Sequence, residues 1–237
     1  MRRRQGTRNG STARTIDDDV RAVDALLRRL HGDARFPGLS DPVGGLVRTI
    51  LSQSTTNANS SRAFDELVGR FPTWDALAQA PVGQITRAIR SGGLARQKAP
   101  RIRAIIRQII DEHGSATLDF LDRMTAEQAT EYLLQFDGVG PKTAACVLLF
   151  SLGKPVFPVD THVRRIAERL GWVPPGLSDA RIHEMLGELV PAKLRYRLHI
   201  NMVTHGRRVC RAQRPDCPAC PLTELCDYGR EQKGSGP

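Results

Sequence analysis

Aromatic side chains are scarce in this chain of 237 residues, Phe, Tyr and Trp together making up 5%. Proteins that read single-stranded nucleic acid stack base after base on aromatic platforms, and so thin a supply argues against that class. Long hydrophobic runs are missing too. The longest, Ala144 to Phe150, is far short of the roughly 20 residues that span a bilayer, so no membrane partner is expected. No stretch alternates apolar and polar residues long enough to read as a strand, and no internal repeat is visible. The opening residues, Met1–Arg14, hold five Arg and no acid, with no apolar segment after them. They read as a disordered basic arm able to touch phosphates rather than as a secretory signal, an organellar transit peptide being the weaker reading. Lysine is rare, 5 against 30 Arg, yet the bases outnumber the acids and leave a formal net charge of +10. An excess of that size implies attraction to a polyanion without saying which one. Cysteine is limited to five residues, four of them between Cys210 and Cys226. A disulfide framework would spread through a small secreted chain, so this crowding implies metal binding in a reducing compartment.

What the sequence does contain is helical periodicity, almost throughout. Val20, Val23, Leu26, Leu27 and Leu30 are expected on one face of a first helix. Asp41-Pro42 starts the next, with Asp as cap and Pro in the first turn. Further helices are predicted near residues 60–70, 73–79, 84–90, 97–113, 126–136, 142–152, 161–170, 180–189 and 193–207, with Pro and Gly at nearly every junction. The expectation is an all-α fold of about ten short helices.

Three constellations carry chemistry. Cys210-x6-Cys217-x2-Cys220-x5-Cys226 places four thiols within seventeen residues, so they can converge on one centre at little loop-closure cost. Tetrahedral zinc and a [4Fe–4S] cluster both remain open on that spacing. Zinc ribbons usually pair two C-x-x-C knuckles, and this segment has one, which leans towards the cluster. The second constellation is Phe136-Asp-Gly-Val-Gly-Pro-Lys-Thr-Ala-Ala145. A helix ends, Gly138-Val139-Gly140 turns the chain, and a new helix opens near Lys142. Glycines allow the turn and a close ligand approach, and amides at the helix start suit a phosphate. Lys142 reads as a solvated surface lysine or as a nucleophile, since the positive field at a helix start favours the uncharged amine. The third is Pro158-Val-Asp160-Thr-His162, where Asp160 reads first as a helix N-cap, a role that would also fix a carboxylate in place for chemistry.

In this order and spacing, the hairpin glycines, Lys142, the Val-Asp-Thr-His segment and the four-cysteine loop resemble the endonuclease III family of the helix-hairpin-helix glycosylase superfamily. The likeness runs from about Phe36 to Tyr228. It implies a six-helix domain over 36–154 carrying the helix-hairpin-helix, and an iron–sulfur domain built from 15–35 and 155–237. Double-stranded DNA with damaged bases or abasic sites would lie across a cleft between them. It further implies that Lys142 is the covalent nucleophile, Asp160 the essential carboxylate, and Cys210, Cys217, Cys220 and Cys226 the ligands of a [4Fe–4S] cluster. The implied reaction is excision of oxidised or otherwise damaged pyrimidines followed by strand cleavage through β-elimination. A monomer is implied, in the cytoplasm at a bacterial nucleoid, or in a nucleus or organelle of a eukaryote.

Some positions depart from the family pattern. Asp137 stands where the family usually has Pro, placing an acid beside the expected phosphate site. The family commonly fills the gap left by the extruded base with a Gln; the aligned position here is Ser54, with Gln53 one residue earlier. Leu94, in Gly92-Gly-Leu-Ala-Arg96, resembles the family's apolar wedge and reads equally as an ordinary packed leucine. His162 is a further candidate DNA contact. Adenine glycosylases of the superfamily use a Glu where this chain has Thr49, which disfavours that activity. Excision of mismatched thymine remains open, and so does a non-catalytic DNA-binding iron–sulfur protein.

Overall fold

The computed structural model describes residues 15–234, so the basic arm expected over Met1–Arg14 lies outside the described residues. The described residues are helical and contain no strand, and no helix among them is long and apolar enough to cross a membrane. The chain divides into two compact units, Arg35–Pro158 and a second made from Met1–Ala34 with Val159–Pro237.

The unit Arg35–Pro158 contains helices α2 (Pro42–Ser52), α3 (Asn57–Arg70), α4 (Trp74–Gln79), α5 (Val82–Ala88), α6 (Ala95–His113), α7 (Ala126–Leu134) and α8 (Pro141–Leu152). Its centre is α8, which is apolar nearly all round and buries Thr143 through Leu149, as a helix surrounded by others must. Leu46, Val47 and Ile50 of α2 pack in the same core, with Ile102 and Ile106 of α6 and Leu133 of α7. The start of α2 is as expected. Asp41 accepts a hydrogen bond from the Val43 amide at 2.9 Å, Pro42 occupies the first turn, and the Trp74 indole donates to the other Asp41 oxygen at 2.7 Å. Two elements differ from the periodicity. The segment expected to be helical up to Arg90 stops at Ala88 and tightens into a 3-10 turn over Arg90–Gly92. The helix expected to run to Phe136 ends at Leu134, because the amides of Gln135 and Phe136 turn to carbonyls three residues back.

The other unit holds α1 (Ile16–His31), α9 (Thr161–Arg169), α10 (Asp179–Leu189), α11 (Arg195–Arg208) and α12 (Asp227–Gly234). Thr15 and Asp18 form a reciprocal capping box at the start of α1. The buried face of α1 differs from the expected one: Val20, Val23 and Leu27 are buried, Leu30 is 48% exposed, and Asp24 takes a buried place. The cause lies on α11. Arg197 donates to both oxygens of Asp24, at 2.6 and 3.1 Å, and to Asp33 at 3.0 Å. That planar fork makes a carboxylate admissible in the packed face. The Asn201 side chain adds a hydrogen bond to the Gly32 carbonyl at 3.1 Å. Helix α12 lies beyond the helices that periodicity predicts.

Candidate active site and metal centre

The turn between α7 and α8 carries the hairpin glycines. Gly138 has φ +72°, a left-handed position that favours glycine, and a Cβ there would also have to push aside the Arg101 guanidinium, the end of a flexible side chain. Gly140 is the N-cap of α8 and has open space around it, while no side chain caps the helix. Pro141 has no N–H, and the amides of Lys142 and Thr143 have neither helical partner nor side-chain cap, so they form an anion-attracting end. Val139 contributes differently from its neighbours: its side chain is buried in the core and its amide donates to the Phe136 carbonyl at 3.1 Å. Lys142 sits half-exposed in the first turn of this helix. Asp137, the departure from the family pattern, is 86% exposed and pairs with Arg101 at 3.1 Å. The acid beside the hairpin thus has its own counter-charge, from a helix 36 positions away in sequence.

The bend after α2 approaches the same turn. Gln53 is the C-cap of α2, and its side-chain amide donates to the Gly138 carbonyl and the Thr143 hydroxyl, both at 3.4 Å. Ser54 is exposed, with φ +54°. Leu94 is left-handed too (φ 51°, ψ 29°), at the N-cap of α6, and is 49% exposed. It is not the ordinary packed leucine that one reading allowed. Thr49 bonds back to the Gly45 carbonyl at 2.8 Å.

In the unit formed by both chain ends, Asp160 caps α9. Its Oδ1 accepts the amides of His162 and Val163 at 2.9 and 2.8 Å, which fixes the carboxylate in one orientation. His162 accepts from Arg165 at 3.0 Å through Nδ1, and burial lowers its pKa from the ordinary value. Arg165 also donates to the carbonyls of Gly206 and Cys210, tying α9 to the cysteine segment.

The four clustered cysteines line one recess, walled also by Arg169, Thr223 and Tyr228. None of the five cysteines is in a disulfide, and Cys146 is buried in α8, in the other unit. The thiols are met by N–H donors. Arg169 reaches Cys210 Sγ at 3.1 Å, the Gly229 amide reaches Cys226 Sγ at 3.4 Å, and His205 Nε2 lies 3.4 Å from Cys220 Sγ. Arg169 also binds the carbonyls of Arg211 and Ala212, and its guanidinium lies 4.6 Å from the Tyr228 ring centre. Burial pushes the Cys220 thiol up to about 11 and raises those of Cys217 and Cys226. A metal that takes thiolates would displace these protons. Among the described residues no three His, Cys, Asp or Glu side chains gather tightly enough for one metal ion. Thiolates around one zinc lie about 3.8 Å apart, from Zn–S bonds of about 2.3 Å. Four thiols lining one recess, with N–H donors reaching the Cys210 and Cys226 sulfurs, are a donor set that an iron–sulfur group would fit.

Sequence reasoning missed Lys98, Arg101 and His205. Each acts across 15 to 47 residues, and no local spacing marks it.

Comparison with known proteins adds the family. Residues 47–192 match the family model described as "HhH-GPD superfamily base excision DNA repair protein". Endonuclease III of Thermotoga maritima is 37% identical over 197 residues, covering 83% of this chain and 87% of that one. A putative DNA glycosylase of Arabidopsis thaliana is 43% identical over 163 residues, covering 69% of this chain but only 56% of its own length. Among solved structures, a trapped endonuclease III–DNA covalent intermediate superposes with a TM-score of 0.78 at 28% identity, over 92% of this chain and 98% of that one. Family model, relatives and fold agree: the chain belongs to the HhH-GPD superfamily of base excision DNA repair proteins, as an endonuclease III-like member.

Proposed function

We propose that this repair protein is a bifunctional DNA glycosylase and abasic-site lyase that removes oxidised pyrimidines from duplex DNA, working as a monomer. The observation that carries the reading is the opening of α8. An uncapped helix start, an exposed and sterically open Gly140, and the half-exposed amine of Lys142 occupy one turn. Such a turn both holds a phosphate and presents a nucleophile.

The target nucleotide is rotated out of the duplex at a cost of a few kcal/mol. Amides of the first turn of α8 hold the strand through its phosphates, with Arg101 close by. Lys142 Nζ, as the neutral amine, attacks the sugar C1′. The bond from C1′ to the base breaks, and the base leaves with the electron pair and takes up a proton. The attached nitrogen gives up a proton, the C1′–O4′ bond then breaks with O4′ taking its electron pair and a proton, and the nitrogen becomes an iminium. Loss of the C2′ proton then expels the 3′ phosphate, cutting the strand by β-elimination. Asp160, held by two amides through Oδ1, supplies the negative charge that stabilises the cationic sugar. Gln53 and Ser54 are the residues proposed to stand in the gap left by the base, and Leu94 the wedge into the stack. His162 is proposed as a strand contact. Cys210, Cys217, Cys220 and Cys226 would hold a [4Fe–4S] cluster, whose contribution when bound is to cross-link the C-terminal segment and fix its shape. Thr49 where adenine glycosylases carry Glu argues against that activity.

Borohydride reduction on an abasic duplex tests the reading. The unmutated protein gives a covalent adduct, and Lys142→Gln gives none while still binding an abasic analogue. Asp160→Asn keeps an oxygen able to cap α9, folds, and lowers the rate on the order of a hundredfold. Both variants folding, binding DNA and trapping at the unmutated rate would sink this assignment. Base release by the unmutated protein without any adduct would leave a monofunctional glycosylase instead.

A further inference from the structure

Lys98 is 2% exposed, an unusual place for a lysine, and the chemistry proposed above makes no use of it. Its ammonium has three N–H donors, and all three are taken by backbone carbonyls. Nζ lies 2.8 Å from Leu51 O, 2.7 Å from Gln53 O and 3.0 Å from Gly92 O. Leu51 belongs to the last turn of α2, whose carbonyls lack helical partners and carry the negative end of the dipole. Burial lowers the Lys98 pKa, and three converging carbonyls favour the charged form against it.

The carbonyls belong to two segments that each hold a residue in the left-handed region. Ser54 follows Gln53, and Leu94 follows Gly92 by two. Outside glycine that conformation is uncommon and persists where the surroundings impose it. The segments lie close together as well, since a Cβ added at Gly93 would stand 3.9 Å from the Thr55 hydroxyl. Both residues point outwards, one exposed and polar, the other exposed and apolar.

We propose that Lys98 is a positioning residue for lesion recognition, its ammonium clamping the Gln53–Ser54 bend and the Gly93–Leu94 turn into one rigid DNA-facing surface. The inference rests on the DNA-glycosylase reading above. Filling the gap and wedging the stack are two halves of one event, and a misplacement of about 1 Å in either costs on the order of a hundredfold in rate. A buried charge with three fixed acceptors couples the two loops more stiffly than apolar packing would.

Two measurements decide it. In the unmutated protein, free of DNA, the amides of Gln53 and Gly93 each close a turn, to Ile50 O and Arg90 O. Under one clamp their hydrogen-exchange protection agrees within about threefold and falls together; protection differing by tenfold or more would overturn the proposal. The second compares excision of a damaged base from duplex with incision at an abasic site in a single strand, where there is no stack to wedge. Lys98→Met leaves three carbonyls unpaired, and the duplex-to-single-strand rate ratio should fall about tenfold or more. Lys98→Arg keeps the charge but cannot aim three donors at one point, so the same ratio falls in it, which covers the case where Lys98→Met does not fold. A ratio unchanged in a folded variant would refute the clamp. If the unmutated protein showed no excision, the proposed function would fail while the exchange comparison still judged the clamp.

Discussion

Single side chains here work mainly through partners far away in sequence. Asp137 is the plainest case, an acid beside the hairpin turn proposed to hold a phosphate and offset by Arg101. The pair is largely exposed on the Asp side, so it contributes about 0–1 kcal/mol to stability. Asp137→Asn is expected to leave the melting temperature nearly unchanged. It frees a guanidinium beside the hairpin, so DNA affinity at low salt should rise severalfold and the log–log salt slope should steepen by about 0.9, one phosphate's worth of counterion. Titrations at several salt concentrations check this, and an unchanged slope would show that Arg101 makes no phosphate contact. Arg197 is the opposite case, because Asp24 is only 5% exposed and depends on it. Arg197→Met should destabilise the protein by roughly 3–5 kcal/mol, since it strands a buried carboxylate. Chemical denaturation measures that loss directly, and a loss below about 1 kcal/mol would mean that water replaces the fork.

Helices were legible where caps and apolar spacing agree. Asp41-Pro42 opens α2 and Asp160 caps α9, both as the sequence indicates. The misread parts have tertiary causes. Asp24 takes a place in the buried face of α1 because an arginine 173 positions on pairs with it, and the end of α7 tightens as the hairpin begins. Among site residues, Lys142 and the four cysteines stood out by motif. Which of Gln53 and Ser54 reaches outwards depends on a left-handed backbone that no composition reveals. The cysteine segment also carries a prediction. Purified protein should hold about four iron per chain, and Cys217→Ser should lose iron and soluble yield. Cys146→Ser, in α8 of the other unit, should leave iron content unchanged. Metal analysis decides, and stoichiometric zinc without iron in a reconstituted sample would reject the cluster.

At the scale of the whole molecule, one unit is continuous in sequence and the other is assembled from both ends of the chain. The ion pair that joins those ends, Asp24 with Arg197, spans 173 positions. That separation has a consequence in time. Ribosomes add about 5–20 residues per second, so α1 is made roughly 9–35 s before the arginine that lets it bury Asp24 exists. During that interval Arg35–Pro158 is synthesised whole and can fold, while α1 has no partner helix to cover its apolar stripe. Ribosome-bound chains halted near residue 190 should therefore be cut by protease within α1 and resist it within α8, whereas chains released at full length should resist at both. Resistance of α1 in the halted chain would mean that it packs elsewhere first. The clustered cysteines come later still, so the apolar face of α1 waits uncovered until α11, the helix that carries Arg197, has been added.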